Sequence, residues 1–212
     1  MGEPLKRNVS WLAGNMTKRI SKDNPSEIGQ NFFYGISVRK NYRKAFPHLL
    51  DAAGLGFLHA ANLVGYCYDL GLGVKSNKPL ALFWYRHAAK FNHKEALWNL
   101  ALKYQKGDGV EVNYKKAFSF YKKAAELGDA PSQCELAIAY LEGVWTKQNL
   151  RKGIFWMRKS ARKGDSSAQY NLGTSYLEGE GVKPNRHYAR VWFEKAAKQG
   201  HKKAMAALRR AS

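Results

Sequence analysis

Gly179 and Gly181 flank a glutamate in the stretch YLEGEGVKPN, residues 176–185, a pattern that resembles the start of a phosphate-binding loop. Such a loop places its glycines between a strand and a helix and needs a later glycine, and this stretch offers neither. The same stretch also recurs elsewhere in the chain, and a catalytic phosphate loop would not be copied in this way. We therefore interpret it as part of a structural repeat.

Histidines and serine–lysine pairs are the other residues that could carry out catalysis or bind a metal. No histidine forms an H-E-x-x-H motif or joins a cysteine at zinc-ligand spacing, so we interpret the histidines as scattered surface side chains. Ser-x-x-Lys occurs three times, but the partner motifs of a penicillin-type serine enzyme are missing. Ser160, in one of these pairs, takes the place of Ala124 and Ala196 and is predicted to be a packing residue. The sequence thus predicts a protein that is not an enzyme and needs no cofactor or metal. The histidines are His48, His59, His87, His93, His187 and His201.

A period of 36 residues runs through most of the chain. An unbroken period of this length is the signature of a repeat array. The recurring positions are a tyrosine (Tyr68, Tyr104, Tyr140 and Tyr176), a first glycine (Gly71, Gly107, Gly143 and Gly179), a second glycine (Gly73, Gly109 and Gly181, with Trp145 in one copy) and an asparagine (Asn77, Asn113, Asn149 and Asn185).

Each period is predicted to contain two helices. In the first, Leu136 and Tyr140 lie four residues apart on one face, as in an apolar helical stripe. In the second, YARVWFEKAAKQG, apolar residues fall at i, i+3, i+4, i+7 and i+8. The recurring asparagines are predicted to cap the second helices, and Asp129 and Asp165 to cap first helices. Glycines such as Gly200 are predicted to end the second helices.

This pattern resembles the Sel1-like repeat family, whose members are related to the tetratricopeptide repeat. The best copy is AQYNLGTSYLEGEGVKPNRHYARVWFEKAAKQG, residues 168–200, while Trp145 and Thr146 depart from the usual turn sequence. The resemblance implies an all-α fold, a right-handed α-solenoid of 36-residue helix pairs that serves as a protein-binding scaffold. We count about five full units from Asp23 and a half unit with Ala204 and Leu208.

Two segments are expected. Residues 1–22 have apolar residues at roughly helical spacing among basic ones, and we interpret them as an N-terminal capping helix, with a mobile basic arm as the alternative. Residues 23–212 form the predicted solenoid. No signal peptide core or transmembrane segment is visible, although a removed leader is compatible with the sequence. Cys67 and Cys134 occupy different repeat positions, so we expect no disulfide, a reducing compartment and a cytoplasmic location.

The charge is strongly positive and unevenly distributed. The formal net charge is +20, from 36 Lys and Arg against 16 Asp and Glu. The predicted second helices carry nineteen basic and three acidic residues, and the first helices two and seven. The simplest interpretation of the positive charge on the second helices is a solvated face that favours solubility. The functional interpretation is attraction to acidic proteins, anionic lipid or nucleic acid. We define the basic patch as the densest group: Arg151, Lys152, Arg158, Lys159, Arg162 and Lys163.

The first helices carry apolar and acidic residues outside the core stripe. In the family's solenoid the first helices line the concave face, so the resemblance implies that these residues form a groove for a partner. Aromatic and aliphatic side chains with a polar margin are typical of binding surfaces, although superhelical curvature could bury some of them. We define the first-helix surface as Tyr66, Trp98, Leu102, Glu135, Ile138, Leu141, Glu142, Tyr170 and Leu177.

Three classes of function follow from these features. The leading hypothesis is a scaffold that holds a segment of another protein in the concave groove, in a narrower form an immunity or regulatory protein that neutralises its partner. The alternative is a module that attaches to anionic membrane or nucleic acid through its basic convex face. Enzymatic activity on a small-molecule substrate is the remote third, because no catalytic constellation is present.

Overall fold

The computed structural model describes residues 24–210, which form eleven α-helices and no strand. The prediction of an all-α repeat fold is confirmed. The segment 1–22, predicted to be a capping helix or basic arm, lies outside the described residues. The helices are α1 (Pro25–Tyr34), α2 (Tyr42–Gly54), α3 (Leu58–Leu70), α4 (Lys78–Lys90), α5 (Lys94–Lys106), α6 (Tyr114–Glu126), α7 (Ala130–Glu142), α8 (Leu150–Arg162), α9 (Ser166–Glu178), α10 (Arg186–Lys198) and α11 (Lys202–Arg210).

The chain divides into two compact units, Met1–Ala96 and Leu97–Ser212. In the first unit α1 packs on α2 and α3 on α4. In the second unit α7 packs on α8 and α9 on α10, and each pair contacts the next. The half unit is α11, whose Ala204 is buried against α10 with Leu208 beside it.

Asparagine caps start every second helix, as the repeat pattern predicts. The Oδ1 atom of Asn149 accepts a hydrogen bond from the Lys152 backbone N–H at 2.9 Å, which satisfies one of the donors left free in the first turn. The Asn149 backbone N–H in turn donates to the Tyr140 carbonyl at 2.7 Å and closes the inter-helix turn. The other copies cap in the same way through Asn41, Asn77, Asn113 and Asn185.

The inter-helix turn keeps one backbone conformation in every copy. The second glycine position has a positive φ, for example 68° at Gly181, where glycine carries no steric penalty. Ser37 and Trp145 replace that glycine and still adopt φ values of 58° and 67°. The packing around the turn therefore imposes the conformation even on residues that adopt it at a cost of roughly 1–2 kcal/mol.

The core of the second unit contains a leucine from each of its first helices α5, α7 and α9, surrounded by small residues. Leu100, Leu136 and Leu172 are each at most 1% exposed, and the alanines of the second helices are buried against them. Ser160 is also buried, and its hydroxyl donates to the Ala130 carbonyl at 2.7 Å, which confirms that it is a packing residue. The small side chains allow neighbouring helices to approach closely, so the core lies between helices of the repeats and not in one globule.

Candidate functional site

The first-helix surface of the second unit lies on α5, α7 and α9. Trp98 and Leu102 are half-buried and pack against the core cluster that contains Ala101 and Tyr121. Ile138 is half-buried against the cluster formed by α7, α8 and α9. These apolar groups keep part of their surface accessible, so they fit the composition expected of a binding surface.

Tyr170 and Leu177 continue this surface along α9. The Tyr170 ring packs on Phe193 and stacks on His201, with ring centroids 5.6 and 4.9 Å apart. Leu177 is 48% exposed, and in the first unit Tyr66 is 38% exposed. Trp98 and Tyr170 are therefore held by packing on one side and accessible on the other, a rigid arrangement suited to an anchor.

Leu141 was wrongly predicted to lie on the free part of this surface. It is 5% exposed and belongs to the core cluster with Ile154 and Met157. The reason lies in α8, where Gly153 replaces the alanine found at Ala117 and the other copies. A Cβ atom at Gly153 would lie 2.5 Å from the Leu141 Cγ, so the glycine makes the space that Leu141 fills.

Glu135 is the acidic centre of the first-helix surface. It is half-buried on α7, and Glu142, seven residues further along the same helix, is exposed. Burial raises the pKa of Glu135, the charges of Asp165 and Glu142 raise it further, and Lys106 opposes them. An ionised Glu135 is thus under-compensated, and a basic group of a partner would stabilise it.

Both cysteines are buried free thiols. Burial raises the pKa of Cys67 to about 12 and also raises the pKa of Cys134. The Asn171 side-chain amide lies 4.0 Å from the Cys134 sulfur, on the first-helix side of α7 and α9. Thiols kept protonated in this way are poor nucleophiles and poor metal ligands, so they act as small packing groups.

A histidine cluster in the first unit was not anticipated from the sequence. His59 and His93 are half-buried with ring centroids 5.6 Å apart, so their interpretation as scattered surface residues was wrong. The Tyr34 hydroxyl lies 3.2 Å from His59 Nε2, and Glu95 lies 3.5 Å from His93. The described residues contain no group of three or more His, Cys, Asp or Glu placed to hold a metal ion. The only available signal was position, because both histidines stand at the start of successive first helices.

His93 acts as an N-cap in the position held by Asp129 and Asp165 in later repeats. Its Nδ1 accepts a hydrogen bond from the Ala96 backbone N–H at 3.4 Å, which requires an unprotonated Nδ1. Burial lowers the pKa of His93, and His59 and Lys94 lower it further, although Glu95 acts in the opposite direction. Protonation would therefore break the cap and place a positive charge at a helix N-terminus, where it is unfavourable.

We expect His93→Asn to reduce the loss of stability on acidification. As the pH falls, His93 is protonated in the unfolded chain before it is protonated in the folded one. Its contribution to the free energy of unfolding is therefore complete above about pH 6.5, the ordinary histidine pKa, and is lost as the pH falls below that value. Asparagine caps without titrating. Thermal unfolding midpoints at about pH 7.5 and pH 5 should differ less in the variant than in the wild type. His187→Asn, at an exposed position of α10, is the control, and an equal loss in all three proteins would contradict the assignment.

Four of the six residues in the basic patch are engaged in structural contacts, among them Lys159, whose ammonium group lies 4.9 Å from the centre of the Trp156 ring. Lys152 lies over the Tyr140 ring at 5.5 Å, Lys163 donates to the Gly128 carbonyl at 2.6 Å, and Arg158 donates to the Tyr176 hydroxyl at 3.1 Å. Arg151 and Arg162 have neither hydrogen-bond nor ion-pair partners within residues 24–210. The patch is thus partly a set of packing interactions and partly a free positive surface.

Comparison with known proteins places these observations among repeat proteins. A family model described as Sel1 repeat matches residues 27–57, 58–90, 94–129, 130–165 and 166–201. A Sel1 repeat protein from Oxalobacter formigenes superposes with a TM-score of 0.80 at 29% identity, over 95% of this chain and 86% of that one. No curated protein matches the chain.

Two further solved structures are similar. A protective antigen of uropathogenic Escherichia coli with an SLR fold has a TM-score of 0.75 and 30% identity, over 94% of this chain. This chain spans 43% of the length of that antigen. An immunity protein from Pseudomonas aeruginosa has a TM-score of 0.59 at 19% identity, over 90% of this chain and 72% of that one, which shows a shared fold alone.

Proposed function

Because this chain belongs to the Sel1 repeat family, we propose that it is a non-catalytic scaffold that holds a segment of another protein on its first-helix surface. The observation that carries the proposal is the half-buried Glu135 on α7, three residues before the partly exposed Ile138 on the same helix, while Trp98 exposes part of its ring on α5. An apolar surface around an under-compensated carboxylate suits a partner segment with a large apolar side chain next to a lysine or arginine.

Capture from a native lysate, followed by mass spectrometry, tests which surface holds the partner. We expect the wild type to enrich one protein that is lost with the double variant Glu142→Lys and Leu177→Lys. Both positions are exposed, so the fold should be unaffected. A matched double variant on α8, Arg151→Glu with Lys159→Glu, should still capture it. If only the α8 variant failed to capture the protein, the partner would be assigned to the second helices and the proposal would be rejected.

Glu135→Gln should stabilise the protein and weaken the complex at the same time. The raised pKa means that folding disfavours the ionised carboxylate, a cost that is absent at low pH and appears as the pH rises through the folded pKa. The thermal midpoint of the variant should therefore exceed that of the wild type at about pH 7.5 and match it near pH 4. Affinity for the captured partner should fall, because a charge-assisted contact is lost.

The exposed Glu142 provides the control for this experiment. Glu142→Gln should raise the thermal midpoint less than Glu135→Gln does, because an exposed carboxylate loses little hydration on folding and only its repulsion of Glu135 is relieved. A Glu135→Gln variant that is more stable but binds the partner as tightly as the wild type would show that the partner does not contact Glu135. In that case the charge of Glu135 would affect the stability of the fold and would have no role in binding.

A narrower form of the proposal is an immunity or regulatory protein that neutralises its partner. The fold shared with the Pseudomonas aeruginosa immunity protein is compatible with this role. Co-expression of the captured partner with wild type or with the Glu142→Lys, Leu177→Lys variant tests it. The wild type should suppress the partner's activity and the variant should not. A partner that binds the wild type but keeps its full activity would support the scaffold role and reject the neutralising role.

A further inference from the structure

Trp145 shows how a large aromatic ring fits against a second helix of this fold. It stands in the turn before α8, and its indole stacks on Tyr114 and Tyr121 of α6, with ring centroids 5.7 and 6.2 Å apart and planes within 9° of parallel. The indole is partly buried in the cluster that contains Ala117. The turn thereby supplies a side chain that closes the groove beside α6.

The next repeat has the same groove without the ring. Gly181 stands 36 residues after Trp145, and their φ values of 68° and 67° show that the two turns share a conformation. A groove of about 620 Å³ remains beside α8, and its floor contains Leu150, Ile154 and Phe155. Phe155 is 51% exposed, so its ring is accessible to a ligand in the groove. We call this space the α8 groove.

The rim of the α8 groove is entirely cationic. Arg151, Arg158, Lys159 and Arg162 line it, and α8 contains no acidic residue. The Lys159 ammonium group lies 4.7 Å from the centre of the Phe155 ring, and the Tyr176 hydroxyl fixes Arg158. An apolar floor within a cationic rim is complementary to a large apolar side chain flanked by carboxylates.

We propose that the α8 groove binds an acidic protein segment and that an aromatic side chain of this segment enters the space that Trp145 fills one repeat earlier. The ring that occupies the equivalent space is itself a protein side chain, which favours a protein ligand. Single-stranded nucleic acid uses successive aromatic platforms, whereas Phe155 is the one aromatic residue among the groove-lining residues. A bilayer is bound by protruding apolar groups, whereas Phe155 lies in a depression. This site is separate from the first-helix surface and does not depend on the proposed function.

The proposal is tested by fluorescence anisotropy with a labelled peptide that has a tryptophan between two pairs of acidic residues. We expect saturable binding that weakens by at least about tenfold when alanine replaces the tryptophan, because the buried aromatic anchor carries much of the binding free energy. Phe155→Ala should weaken binding of the tryptophan peptide by a similar factor. Circular dichroism should show unchanged helicity, since the Phe155 side chain is half in solvent.

A matched pair of double variants separates the groove from bulk charge. Arg151→Glu with Lys159→Glu reverses the rim of the α8 groove. Lys115→Glu with Lys123→Glu makes the same change in net charge at the equivalent positions of α6, where Trp145 closes the groove. The first pair should weaken peptide binding by at least about tenfold and the second by no more than about twofold, because only Arg151 and Lys159 line the α8 groove. Attraction by net charge alone would weaken binding equally in both variants.

Three results would overturn the proposal. Equal affinity for the tryptophan and alanine peptides would show that the groove takes no aromatic anchor. Equal losses in the two double variants would show attraction by net charge alone. Phosphatidylserine vesicles or an oligothymidylate that bind with higher affinity than the peptide, and that lose binding with Arg151→Glu and Lys159→Glu, would assign the groove to lipid or nucleic acid.

Discussion

Leu172→Ala should lower the free energy of unfolding by about 2–5 kcal/mol, the range found when a buried leucine is truncated. Leu172 is completely buried in α9, in the cluster that joins α7, α8 and α9. Its side chain contacts parts of two repeats, and a solenoid derives its stability from such neighbour interfaces. The cavity left by alanine would therefore weaken the interface between the two repeats, and no other contact compensates for that loss. Urea unfolding followed by circular dichroism measures the loss.

Leu177→Ala on the same helix is the control for this measurement. Leu177 is 48% exposed, so its truncation should change the free energy of unfolding by no more than about 0.5 kcal/mol. The two variants remove the same atoms from one helix and differ in burial alone. A loss of less than about 1 kcal/mol for Leu172→Ala would mean that the leucine stripe does not form the core.

Trp98→Ala should weaken the complex with a captured partner by about thirtyfold or more, which corresponds to about 2 kcal/mol. Trp98 is half-buried on α5 and is followed one helical turn later by Leu102, so the two form a continuous apolar anchor. Part of the ring packs on the cluster of Ala101 and Tyr121, and truncation will therefore cost some stability as well. Binding is best measured by titration calorimetry at low temperature, where the variant is fully folded.

Trp192→Ala provides the matched control for the loss of packing. Trp192 is also a half-buried tryptophan of the second unit, but it lies on α10, a second helix. We expect this variant to lose stability and to keep its affinity for the partner. Unchanged affinity in Trp98→Ala, or an equal loss of affinity in both variants, would contradict the assignment of the partner to the first-helix surface.

Two surfaces of different chemistry emerge on the second unit. The first-helix surface is apolar and acidic around Glu135, and the α8 groove is apolar and cationic around Phe155. A single segment cannot satisfy both, because the favourable charges on one surface are unfavourable on the other. The lysate capture and the peptide titration therefore address separate sites, and failure of one leaves the other standing.

The sequence by itself determined the helices, their caps and the leucine core. These features depend on interactions within one or two helical turns, such as the Asn149 cap, and on apolar spacing that the period of 36 residues repeats. It also located the turn positions, although it did not show that Ser37 and Trp145 keep the positive φ of the glycines they replace. Local chemistry fixes such elements wherever the pattern recurs.

Only the tertiary structure decided which side chains meet across helices. Leu141 is buried because Gly153 on another helix leaves a space of the right volume, and His59 meets His93 because successive first helices bring their starts together. The α8 groove is open because Gly181 lacks the ring that Trp145 provides one repeat earlier. Such outcomes depend on how volumes and charges from distant positions fit together, and the spacing of residues along one chain does not encode that fit directly.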